Sequence, residues 1–153
     1  MTHPFALQPL VHLSQQRNDA AIKKLGQLYR LQQAAQSKLE MLQQYRNDYQ
    51  EKLRLTEKNG IELEELRNFQ SFIARLDDAI EQQNAVLAQA HHAVEQGRHE
   101  LAETQRRMKS FDTLSHRHDE TEKKLEAQSE QRSQDEHNGR RAAFKNAAHS
   151  EEN

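Results

Sequence analysis

At 153 residues, with 30% charged and 34% hydrophobic residues and a mean hydropathy of -1.14, the chain carries too little apolar surface to enclose one compact core. A net charge of -2 removes any general electrostatic case for nucleic acid or an anionic membrane, and the absence of cysteine excludes disulfides and thiolate chemistry. Four glycines and two prolines in a background rich in Ala, Glu, Lys, Leu, Arg and Gln point to long helices. A helical hairpin satisfies both constraints, because it buries only one stripe along each helix.

Residues 1–9 read as a leader bracketed by Pro4 and Pro9. It lacks the basic n-region and continuous apolar h-region of a signal peptide, and no later run nears the ~20 apolar residues of a membrane span. The expected compartment is the cytoplasm. Pro9 suits a helix start, where its missing N–H costs nothing. A first helix follows over 10–57. With Leu25 as heptad position a, its seam runs Ala21, Leu25, Leu28, Gln32, Ala35, Leu39, Leu42, Arg46, Tyr49, Leu53.

Lys58-Asn59-Gly60 is the strong turn signal, since Asn-Gly readily takes positive φ; the turn is assigned to 58–61. A second helix over 62–127 resumes the period with Leu66, Phe69, Ile73, Leu76, Ile80, Gln83, Leu87, Ala90, Val94, Gly97, Leu101, Thr104, Met108 and Phe111, and more weakly with Glu122 and Leu125. Over 128–153 the period is lost, and a frayed helix or a disordered tail is expected there. The fold class is therefore all-α, a long antiparallel two-helix coiled coil, because so short a link forces the helices antiparallel.

Pairing residues whose numbers sum to 122 sets small against large: Leu25 on Gly97, Ala21 on Leu101, Ala35 on Leu87. It also sets Tyr49 on Ile73 and puts Asn18 against Thr104 as a polar layer that can select register. A one-heptad shift, pairing Gln32 with Gln83, is the competing solution.

The two flanks of the seam differ. The e positions Gln70, Asp77, Asn84, His91 and Arg98, with Gln36, Gln43 and Gln50, make a solvated face. The g positions Phe72, Ala79, Val86 and Ala93, with Leu31 and Tyr45 between Lys24, Lys38 and Lys52, make an apolar one. Such a strip binds a partner or a second copy. The pair Tyr45 and Phe72 favours a heterologous partner, since aromatics are preferred interface anchors.

No phosphate-binding, dinucleotide-binding or zinc-protease motif occurs, so no catalytic, cofactor-binding or metal-ligating residue is expected. His92 and His99, and the pair His116 and His118, lack the i, i+3 or i, i+4 ligand spacing with a supporting shell that a helical metal site needs. Arg106, Arg107 and Lys109, and the tail segment Arg140, Arg141, Phe144, Lys145, read first as solvated charge.

At LEMLQQYRNDY, NGI and NFQSFIARLDDAIEQQ the chain resembles the flagellar export protein FliJ family, most specifically over residues 39–83. The resemblance implies a hairpin similar to the central stalk of rotary ATPases, acting in flagellar type III export without enzymatic activity of its own. It implies three partners: the hexameric export ATPase FliI, whose ring assembly it promotes, the cytoplasmic region of the export-gate membrane protein FlhA, and substrate chaperones. It also implies a location peripheral to the inner-membrane export apparatus. The family's gate-binding surface maps onto Leu42, Tyr45, Tyr49, Phe72, Leu76 and Ala79. Leu42, Tyr49 and Leu76 of these also occupy d positions of the seam. Injectisome stalk proteins share the implied architecture, and a generic homo-oligomeric coiled-coil adaptor is the alternative from another functional class.

Overall fold

A computed structural model describes residues 3–151. It contains two α-helices, α1 (Gln8–Lys58) and α2 (Leu63–Glu151), and no strand among the described residues. Its contacts divide into two units, one of residues 16–105, the other of the residues before 16 and after 105.

The unit of residues 16–105 holds the turn. Asn59 N–H donates to the Thr56 carbonyl at 3.2 Å and Gly60 N–H to that of Glu57 at 3.3 Å, tightening the last turn of α1. Gly60 then takes φ 89°, a left-handed cap that costs glycine nothing. Lys58 at the end of α1, with Glu64 and Glu65 in the first turn of α2, complements both helix dipoles. The break between helices covers residues 59–62, one later than the 58–61 read from sequence.

Within this unit every a and d position from Asn18 to Thr56 and from Leu66 to Thr104 is buried or half-buried. Leu25, Ala35, Leu39, Leu76 and Val94 are its buried apolar residues. A fully buried aliphatic side chain contributes roughly 1.5–3 kcal/mol, so this stripe is what holds two largely polar helices together. The register is the one summing to 122. Thr104 Oγ1 donates to Asn18 Oδ1 at 3.2 Å, and a Cβ on Gly97 would lie 3.2 Å from Leu25 Cδ1 and 2.9 Å from Leu28 Cδ1. The shifted register is not adopted. Gln32 hydrogen-bonds His91, and the buried Gln83 amide donates to the Ala35 carbonyl at 3.0 Å, so no buried side-chain polar atom described is left unpaired.

In the other unit α1 begins at Gln8, inside the leader assigned to residues 1–9, of which Met1 and Thr2 lie outside the described residues. Gln8 N–H donates to the Phe5 carbonyl at 3.0 Å and Leu10 N–H to that of Leu7 at 2.9 Å, and Pro9 falls in this first turn, where no donor is required of it. Val11 and Ser14 are buried, and Ser14 Oγ donates back to the Val11 carbonyl at 2.8 Å. The leader is clasped to α2. His118 Nε2 donates to the His3 carbonyl at 2.9 Å, His3 N–H donates to Glu122 Oε2 at 3.3 Å, and the Phe5 and His118 rings lie 5.3 Å apart.

Two expectations for this region change. Leu125 is exposed, so the buried and half-buried seam positions of α2 end at Glu122. Where fraying or disorder is expected over 128–153, α2 continues to Glu151 with every residue from Lys123 exposed; Glu152 and Asn153 lie outside the described residues. Loss of hydrophobic period removes the packing and leaves the propensity. This stretch is rich in Ala, Gln, Glu and Arg, without proline, and carries i, i+4 pairs such as Gln131 to Asp135 at 3.2 Å.

The two helical glycines of the seam unit should respond oppositely to substitution. Nothing lies within 4 Å of the point where a Cβ on Gly26 would stand, so Gly26→Ala should raise stability by about 0.5–1 kcal/mol through backbone propensity. Gly97→Leu drives a side chain into Leu25 and Leu28 and should cost about 1–3 kcal/mol. Thermal melts followed by circular dichroism check the order; equal effects would contradict the close approach at Gly97.

Candidate docking surface

The six residues singled out from the sequence divide into three groups. Leu76 is 8% exposed and belongs to the seam, and Leu42 and Tyr49 are half-buried at its d positions. Phe72 and Ala79, at g, are half-buried against the seam's edge. Tyr45 alone stands out, 51% exposed. The structure thus brings five of the six into the packing between helices and turns one outward.

Phe72 is less a free flank residue than a cover for the seam. Its ring lies 4.2 Å from that of Tyr49, tilted by 33°, while Phe69 meets Tyr49 edge-on at 6.2 Å and 61°. Lys52 Nζ adds a cation 5.7 Å from the Tyr49 ring centre. Tyr49, Phe69 and Phe72, with Glu65, Asn68 and Arg75, line a shallow cleft near the turn. Heptad position identifies Phe72 as a flank residue, but its side-chain direction, and so its contact with Tyr49, is not fixed by position.

On the opposite flank the polar groups satisfy one another. Arg98 Nε donates to Tyr29 Oη at 2.7 Å, which favours the guanidinium's charged form and raises its pKa further above the ordinary arginine value. Arg46 leaves its a position to pair with Asp77 and also donates to Gln50 at 2.8 Å. Nearer the turn Arg54 donates twice to Glu51, at 3.0 and 2.6 Å, and that hydrogen bonding holds the Glu51 carboxyl below the usual range and pushes Arg54 up. These pairs are exposed and of little energetic weight, but on the e flank they give Asp77 and Arg98 partners across the seam.

The g flank differs. Lys24 and Glu100 close its far end with a 3.1 Å ion pair, and between that pair and the turn Leu31, Tyr45 and Val86 remain exposed. Met41 joins them, a residue that the e and g rows of the sequence do not include. It stands at c, four residues before Tyr45, and so on the same face of α1; its apolar character at an outer heptad position is the signal that marks it. Among the described residues no three His, Cys, Asp or Glu gather as metal ligands, and no helix is long and apolar enough to cross a membrane. The chemistry on offer is contact with another macromolecule through an aromatic anchor.

Exposure separates two aromatic substitutions. Tyr45→Ala should leave stability within about 0.5 kcal/mol, as exposed positions do. Phe72→Ala, which strips the cover from Tyr49, should cost about 1–3 kcal/mol. Denaturant titrations of both variants test this, and a Tyr45 variant as unstable as the Phe72 variant would overturn the assignment of Tyr45 to the free face.

Comparison with known proteins agrees with this geometry. The family model described as flagellar FliJ protein matches residues 3–147. The flagellar FliJ protein of Salmonella typhi is 34% identical over 112 residues, covering 73% of this chain and 76% of that protein. The flagellar FliJ protein of Escherichia coli strain K12 is 31% identical over 112 residues, with the same shares of each chain. Among solved structures, a YscO homologue from Chlamydia trachomatis matches with a TM-score of 0.68 over 88% of this chain and 91% of that one; at 19% identity the likeness is one of fold. Two helices packed over one heptad seam, a family match along nearly the whole chain and relatives above 30% identity together establish that this chain belongs to the flagellar FliJ protein family.

Proposed function

We propose that this chain is a non-enzymatic coiled-coil stalk of the flagellar type III protein export apparatus. In this reading it promotes ring assembly of the export ATPase FliI and links that ring to the cytoplasmic region of the export gate FlhA and to substrate chaperones. It works from the cytoplasmic side of the inner membrane, held there by its partners. The observation that carries the reading is Tyr45, an exposed aromatic on the flank of a seam that is already filled without it.

The physical logic is a division of labour along one hairpin. Closed a and d layers make α1 and α2 a pre-organised support, so a partner meeting the g flank orders few side chains on this chain's part. The absence of a phosphate-binding motif means that nucleotide energy enters through the ATPase, with the hairpin as its ligand.

Titrating purified chain into the export ATPase tests this. Substoichiometric amounts should raise both ring assembly and ATP hydrolysis, the chain alone should show no turnover, and Tyr45→Ala should preserve the stimulation. The same substitution should weaken binding to the gate's cytoplasmic region by about 2 kcal/mol, the usual worth of an aromatic anchor. An ATPase rate unmoved across the whole titration would contradict the stalk reading and favour a generic adaptor.

A further inference from the structure

Position c of α1 repeats the 3-4 spacing of the seam on a second face. Taken with g, the row reads Leu31, Ala34, Lys38, Met41, Tyr45, Asp48, Lys52, Leu55. Leu31 is 63% exposed, Met41 47%, Tyr45 51% and Leu55 49%, so four large apolar side chains stand in water along about 36 Å of one helix. A helix whose a/d face is already occupied by α2 gains nothing for the hairpin from this second apolar row. Across the groove α2 contributes Val86, 48% exposed, and the half-buried Phe72, Ala79 and Ala93, while its own outer positions Arg75, Gln82 and Gln89 are polar. The second row therefore belongs to α1 and to the groove beside it.

Its polar members carry a sign. Over the c and g rows of this stretch the two helices present Lys38, Lys52 and Arg75 against a single carboxylate, Asp48, to which Gln44 already donates at 2.9 Å. Apolar residues at c and g beside an a/d seam are the pattern of a helix packed on two sides at once.

We propose that the c/g row from Leu31 to Leu55 receives a third helix, supplied by a partner protein, apolar on one face and carrying carboxylates opposite Lys38 and Lys52. This rests on the reading that the Tyr45 flank meets the export gate, and extends it from an anchor to a helix-length groove. A second copy of this chain is disfavoured as the occupant, because it would bring the same excess of positive charge, Lys38, Lys52 and Arg75 against Asp48, to the shared face.

The test uses full-length chain and the purified cytoplasmic region of the export gate as probe, with binding measured by calorimetry at two salt concentrations. Leu31→Ala with Met41→Ala should weaken binding at least tenfold. Lys38→Glu with Lys52→Glu should do the same and abolish or invert the loss of affinity with added salt. Gln43→Ala with Asn84→Ala, on the e flank, should bind as the parent does, and unchanged circular dichroism should show that all variants fold. If Tyr45→Ala weakens binding while both the Leu31/Met41 and Lys38/Lys52 variants stay within twofold of the parent, the third-helix inference fails and the gate reading stands. If Tyr45→Ala also binds at full strength, both fall. Self-association of the parent chain that the Leu31/Met41 variant abolishes, seen by sedimentation, would assign the row to a second copy and overturn the proposal.

Discussion

Leu25 and Leu28 come so close to Gly97 that a methyl group there would meet Leu28 at 2.9 Å, and the arrangement of the residue 16–105 unit follows from that fit. Only a register that puts small residues opposite large ones fills the seam without overpacking or void. Once Leu25 faces Gly97, Asn18 is delivered to Thr104 and Gln83 to the Ala35 carbonyl, so each buried polar side chain meets a partner. A shift of one heptad would move every layer by about 10 Å along the axis and undo all three matches together.

The flanks inherit their character from this register. It brings Lys24 to Glu100 at one end of the g side and leaves Tyr45, opposite the small Ala79 by the same pairing, 51% exposed. On the e side it brings Arg46 to Asp77 and Arg98 to Tyr29, which absorb each other's hydrogen-bonding capacity. A hairpin so built has one finished face and one unfinished face. For a member of the flagellar FliJ family, a finished seam keeps the helix pair in one geometry and leaves the g flank as an exposed apolar face.

Much of this is legible in the sequence because a heptad period is a one-dimensional signal. The seam residues from Ala21 to Leu53 and from Leu66 to Thr104 are those the 3-4 spacing selects, and the Asn59-Gly60 turn needs only local chemistry. What escapes it depends on three-dimensional packing or on the balance of weak terms. Phe72 occupies the flank its position implies, but its ring turns onto Tyr49, a matter of side-chain rotation that spacing does not carry. Met41 is apolar at c, outside the two flanks that adjoin the seam, and only its exposure on the same face as Tyr45 gives that position meaning. The helix beyond Glu122 is sustained by propensity without burial, which hydrophobic period does not register.

The chain's lack of cysteine makes its register directly measurable, since any introduced pair is the only pair. Leu25→Cys with Gly97→Cys should cross-link readily on mild oxidation, the two positions facing each other across the seam at the helices' close approach. Gln32→Cys with Gln83→Cys, the layer of the shifted register, should not, because a disulfide cannot bridge Cα atoms more than about 7 Å apart. Efficient cross-linking of the second pair and none of the first, in folded monomeric protein, would contradict the register and with it the placement of both flanks.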